Sequence, residues 1–212
     1  MTAMWARIDH ARVREHAIDA NDGTIASAGI IEGLIGAGAS STILLVASLA
    51  AMVGGGFALA GMRYAEAADG RDARQAILEA ERRRIALTPT EEEAELAELY
   101  QARGLSPQLA RAVAAELSSG DALAAHAEAE YGIVLRDRPA TPRTTAVLAG
   151  LAFAVGASVP LLVILLAPPA WRSAVTILAV VAALSLTAIL IASLGGTNIP
   201  RTILRTVSIG VA

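Results

Sequence analysis

The sequence predicts an all-α polytopic membrane protein, a transmembrane helical bundle of about five spans with the last one incomplete, interrupted by a three-helix polar insert. Two observations carry this. Apolar runs long enough to cross a bilayer core, about 20 residues in a helix, occupy both flanks of the chain, and most of the charge sits in the middle third. A soluble domain spreads its charges over its whole surface, so with 55% hydrophobic and only 17% charged residues this segregation favours lipid as the solvent of the flanks. The organisation that follows is an N-terminal amphipathic segment with helices 1 and 2 (residues 1–64), a polar helical insert (65–140), and helices 3 and 4 with a partial fifth (141–212).

The stretch Gly23 to Met62 holds roughly twice the length one span requires. The flexible segment Gly36-Ala-Gly-Ala-Ser-Ser41 divides it into two helices joined by a short turn. The third run, Thr144 to Ala167, stops at Pro168-Pro169, and the fourth, Trp171 to Leu194, stops at Gly195-Gly196. The fifth begins near Ile199 and covers only about 20 Å at 1.5 Å per residue, short of a full span. Basic residues near the span ends set the orientation. Arg7, Arg12 and Arg14, then Arg63, Arg71 and Arg74, then Arg136, Arg138 and Arg143, and finally Arg201 and Arg205 fall on one side, against Arg172 on the other. The positive-inside rule places that side, with the amino terminus and the insert, in the cytoplasm. The amino terminus is no signal peptide, because His10, Glu15 and Asp19 interrupt any apolar core there.

The first span carries Asp19, Asp22 and Glu32. Carboxylates are expensive inside a bilayer, and their default reading is an ion or proton path. Asp22, in Asn21-Asp22-Gly23, reads either as a cap of the first helix or as a ligand. Asp19 reads as a partner for Arg12 or Arg14. Glu32, about three turns deeper, reads as a second relay or as the partner of a polar group across a dimer interface. Gly29, Gly33, Gly36 and Gly38, with Gly54-Gly55-Gly56 in the second span, suit closely packed helices and a homodimer.

The insert breaks at Thr88-Pro89 and at Gly104-Leu-Ser-Pro107, each pairing a hydroxyl cap residue with a proline at the first helical position. Its acids can serve merely as macrodipole partners or solvated faces. As a set they offer more. Glu92 and Glu95 share a face at i, i+3, as do Glu95 and Glu98, and His126 and Glu130 share one at i, i+4. Glu81 adds a further carboxylate. Oxygen ligands with one imidazole suit iron(II), manganese or zinc. A membrane path beside a carboxylate-rich handle suggests metal transport.

The chain has no cysteine, which excludes disulfides, thiolate zinc sites and cysteine nucleophiles. A net charge of −3 with no aromatic-interleaved basic stripe gives no footing for a nucleic-acid partner. A ferroxidase-like di-iron enzyme at the membrane is the second reading, but such a site wants two Glu-x-x-His motifs and the chain has none. A non-transporting anchor whose insert binds metal or a partner protein is the third. Neither an enzyme nor an organic cofactor is expected.

The run Asp19-Ala-Asn-Asp-Gly-Thr opening the first span, the order of two spans, acidic insert and further spans, and the ending Asp121-Ala-Leu-Ala-Ala-His-Ala-Glu-Ala-Glu-Tyr-Gly-Ile together resemble the vacuolar iron transporter and nodulin-like family. The resemblance covers essentially the whole chain. It implies a homodimeric, proton-coupled antiporter exporting iron(II), sometimes manganese, from the cytoplasm. It implies a path residue at Asp22 and insert ligands at Glu81, Glu92, Glu95 and Glu130, with His126 where relatives carry methionine or histidine. Departures stand beside it. A glutamate expected one turn before Pro89 is Arg84, within Arg82-Arg83-Arg84. The Ser-Met pair of the second span is Ala58-Leu59, and a glutamate found earlier in some relatives is Met52. Met52 or Met62 then supplies a sulfur to the path, or simply packs. Alanine-, arginine- and glycine-rich usage points to a bacterium and hence to the inner (plasma) membrane as the site of this multi-pass protein.

Overall fold

A computed structural model describes residues 10–137 and 139–211. Arg7 and Arg138, used above for orientation, and Ala212 lie outside the described residues, as do the first residues of the amphipathic segment. Among the described residues the secondary structure is helical throughout: α1 (His10–Gly36), α2 (Ser41–Leu87), α3 (Pro89–Ala102), α4 (Pro107–Ser119), α5 (Ala122–Tyr131), α6 (Pro142–Leu166), a 3-10 turn (Pro169–Trp171), α7 (Arg172–Gly195) and α8 (Ile199–Val211). The chain divides into two compact units, residues 1–65 with 142–212, and residues 66–141. Among the described residues three segments are long and apolar enough to cross a membrane: α2, α6, and Pro169–Gly195.

In the first unit α1 and α2 meet at the predicted turn. Ala39 N donates to Leu34 O at 3.0 Å and Gly38 takes φ +75°, a left-handed helix ending that glycine adopts without strain. The first helix differs from expectation at its start. It is already helical at His10, the first described residue, and runs unbroken through Asn21-Asp22-Gly23, so Asp22 caps nothing. No residue between His10 and Asn21 breaks a helix, and Gly23 has another purpose. A Cβ built on Gly23 would lie 2.1 Å from the Phe153 carbonyl oxygen, and one on Gly156 would lie 1.8 Å from that of Ala20. The two glycines let the backbones of α1 and α6 touch. Thr24 Oγ1 bridges the crossing with a 3.1 Å hydrogen bond to Gly156 O.

Helix α6 also packs on α2, where the Phe153 ring fills the space a Cβ on Gly55 would need. Phe153, Leu59, Ala149 and Ala157 form one apolar cluster, and Ala28, Val180 and Leu184 form another that Val207 of α8 covers. Outward, Phe57, Leu166, Leu178 and Leu186 are largely exposed, an apolar surface that lipid covers in a membrane protein. Helix α7 stops at Gly196 in the left-handed region, as its glycine pair suggested. Helix α8 has 13 residues, about 20 Å.

The second unit combines the last turns of α2 with α3, α4 and α5. Helix α2 is continuous for 47 residues, about 70 Å, and Pro89 ends it. Thr88 makes no side-chain cap, contrary to expectation; its hydroxyl instead donates 3.2 Å back to Arg84 O, one turn earlier. Ser106 does cap α4, accepting from Leu109 N. A further break falls at Gly120-Asp121, where Asp121 caps α5 by accepting from Ala124 N at 3.0 Å. Leu96, Ala97, Ala114 and Ala129 form this unit's core. Small alanines let the short helices approach closely enough to bring their polar faces together.

Candidate functional site

Three helix ends build a cluster in the second unit. The last turns of α2 place Glu81 and Arg84 on one face, the start of α3 supplies Glu92 and Glu95, and α5 supplies His126, Glu130 and Tyr131. Glu81 and His126 are almost entirely excluded from solvent, with side chains 0% and 1% exposed, and Glu92 is 7% exposed. Glu130 is partly covered and Glu95 lies at the rim.

Two kinds of contact hold the cluster. On one side is Arg84, which donates to Glu81 Oε2, to Glu130 Oε2 at 3.2 Å and to the Tyr131 hydroxyl at 3.0 Å. Its Nε and Nη1 each stand 4.0 Å from a carboxylate oxygen, Glu92 Oε1 and Glu95 Oε2. On the other side is His126, whose Nδ1 is 3.2 Å from Glu81 Oε1 and 3.8 Å from Glu92 Oε2. Those three atoms are buried and none makes a hydrogen bond, a costly condition for polar groups withdrawn from water. One ligand atom each from Glu81, His126 and Glu130 falls within 4.8 Å of the others. Burial, reinforced by Glu81 and Glu95, holds the Glu92 carboxyl above the usual glutamate range against the pull of Arg84 and His126. Tyr131 is raised chiefly by its hydrogen bond with Glu130. A cavity of about 220 Å³ reaches Glu92 and His126, enough for several waters.

The sequence reading missed how central Arg84 is, although its departure from the glutamate pattern marked the position. It also missed Tyr131, whose signal was its place one residue after Glu130.

In the first unit Asp19 is buried and paired with Arg63 of α2, Nη2 to Oδ1 at 2.6 Å, with Glu15 3.9 Å from the same guanidinium. The expected partners Arg12 and Arg14 belong to α1 itself, whereas Asp19 turns inward toward α2. Asp22, three residues on, is exposed. It shares one face of α1 with Ile18, Ala26, Gly29 and Gly33, all exposed, and a Cβ on Gly29 or Gly33 would meet nothing within 4 Å. Glu32 accepts from Ser173 Oγ of α7 at 2.7 Å, so its polar partner lies in the same chain. Met52 packs against the Phe153 cluster and Met62 is exposed. Asn21 accepts from Thr187 Oγ1 at 2.6 Å, a link to α7 that the sequence reading did not foresee.

The family model described as the VIT family matches residues 13–212. A protein of Acanthamoeba castellanii named vacuolar iron transporter is 38% identical over 129 residues, which is 60% of this chain and 49% of that protein. The chain thus spans about half the length of the curated relative it matches.

Proposed function

Because the chain belongs to the VIT family, we propose that it is a membrane transporter exporting divalent metal, iron(II) or manganese, from the cytoplasm. The observation that carries this is the convergence of Glu81 Oε1, Glu92 Oε2 and His126 Nδ1, three buried donors without hydrogen bonds. Carboxylate oxygens with one imidazole nitrogen suit a hard-to-intermediate divalent ion, and an ion there would satisfy all three. In this reading Glu81, Glu92 and His126 take up the metal, with Glu130 close by and Glu95 at the entrance. The membrane unit then carries it past Asp22.

Asp22 supports the path reading because it lies exposed among small residues along one face of α1. A second copy packed on that face would turn it into a seam with two facing aspartates, and we assign the homodimer interface there. The seam would be the route, and a carboxylate that exchanges a proton for a metal ion supplies the chemistry of antiport. Glu32 serves as the deeper proton acceptor. Met52 sits in an apolar cluster and Met62 on the outer surface, so sulfur ligation is not required. Orientation follows the basic residues, with the amino terminus and insert cytoplasmic in a bacterial inner membrane. The ferroxidase-like alternative gains nothing from the geometry, because His126 is the cluster's sole histidine among the described residues and His10 and His16 lie on α1.

The test is equilibrium binding of manganese(II) to the full chain in detergent, beside Glu81→Gln and His126→Ala. Both substitutions should weaken binding at least about tenfold, a loss of ~1.4 kcal/mol. Unchanged affinity in both would remove the insert from the account.

A further inference from the structure

The carboxylates of the cluster are divided between two sides. Glu81 presents Oε2 to Arg84 and Oε1 to His126, and Glu92 presents Oε1 to Arg84 and Oε2 to His126. These two residues therefore stand between two positions suited to positive charge. One is filled by the Arg84 guanidinium, which also meets Glu95, Glu130 and Tyr131. At the other, Glu81 Oε1 and His126 Nδ1 are fully buried, face each other at 3.2 Å and lack hydrogen bonds. Arginine keeps its charge under all ordinary conditions and spreads it over a planar fork. In dinuclear carboxylate sites two cations share bridging carboxylates in the same way.

We propose that Arg84 is a built-in cation filling one of two adjacent cation positions that share Glu81 and Glu92, so that this cluster takes a single divalent ion at the position beside His126. The inference rests on the metal-capture reading above and adds stoichiometry to it. A second divalent ion at the Arg84 position would meet the guanidinium at contact distance, and like charges that close repel strongly where solvent is scarce. Arg84 also draws charge from the shared carboxylates, so the remaining ion is held less tightly than four glutamates alone would hold it. That suits a site that must release its cargo. The nearby cavity is lined by Glu92 and His126 and not by Arg84.

The experiment uses the full chain in detergent with Asp22→Asn throughout, so that the membrane path contributes no ion. Manganese(II) is counted by equilibrium dialysis with elemental analysis, and paired ions are detected by electron paramagnetic resonance. The parent should bind one ion with an isolated-ion spectrum. Arg84→Glu should bind two with a spin-coupled spectrum, whereas Arg84→Lys should stay at one. Arg84→Gln, which adds no new charge, should bind its first ion at least about tenfold more tightly than the parent. A spin-coupled pair in the parent, or Arg84→Gln binding no tighter with Arg84→Glu still at one ion, overturns the inference alone when Glu81→Gln abolishes binding. Absence of manganese from the parent and every variant overturns the inference and the metal-capture reading together.

Discussion

Replacing Gly156 with alanine tests the contact on which the membrane unit is built. A Cβ at this position would lie 1.8 Å from Ala20 O, 2.7 Å from Ala20 C and 2.9 Å from Thr24 N. All three are backbone atoms, so no side-chain rotation relieves the clash and the helices must separate. Moving the Cβ to the 3.0 Å that real contacts respect takes about 1.2 Å of separation, and close-packed interiors transmit such a shift rather than absorb it. The same movement stretches the Thr24 Oγ1 hydrogen bond to Gly156 O from 3.1 Å past useful length. Overpacking by a single methyl costs about 1–3 kcal/mol, and loss of the hydrogen bond adds about 1 kcal/mol. We expect Gly156→Ala to destabilise the unit by about 3 kcal/mol, read as a lower midpoint of unfolding in detergent. Gly29→Ala is the control, since nothing lies within 4 Å of its Cβ; it should leave the monomer's stability unchanged while weakening self-association. Equal unfolding midpoints for Gly156→Ala and the parent would refute the α1–α6 contact.

The remaining predictions concern charge. Asp19→Asn should cost about 1–3 kcal/mol, because it removes the buried carboxylate that accepts from Arg63 and leaves the more exposed Glu15, 3.9 Å away, as an acid beside that guanidinium; the double variant Asp19→Leu with Arg63→Met should recover much of that loss in the same unfolding assay. Glu92 is held above the usual glutamate range, so it binds its proton more tightly folded than unfolded. Its contribution favours the fold below the unfolded pKa and is lost as pH rises through the folded one. Glu92→Gln should accordingly flatten the upper part of that pH dependence in metal-free protein, as measured by chemical unfolding across the acid-to-neutral range. Asp22→Ala should abolish flux yet leave manganese binding to the insert within about threefold of the parent, since the cluster uses none of its atoms.

Much of the architecture was legible in the sequence. Apolar runs with glycine and proline punctuation gave the ends of α2, α6 and α7, because those signals act locally. The start of α1 was not legible, since Asp22 looks like a cap and the purpose of Gly23 depends on Phe153, far away in the chain. Thr88 misled for a similar reason: it has a cap residue's chemistry, but its hydroxyl bonds to the preceding turn. At the cluster, i, i+3 and i, i+4 spacing marked Glu92, His126 and Glu130. Only packing of α2 against α3 and α5 shows that Arg84, read from the chain as a departure, touches four carboxylates. The Asp19–Arg63 pair was hidden because its members lie 44 positions apart, on two helices whose relative rotation no periodicity specifies.

The most direct test of the account is iron(II) flux into proteoliposomes, with and without an imposed pH gradient, for the parent and Asp22→Ala. The account predicts gradient-driven flux in the parent and none in the variant, with metal still bound by Glu81, Glu92 and His126. Flux that persists in Asp22→Ala, or a parent that binds iron yet moves none under either condition, would contradict it.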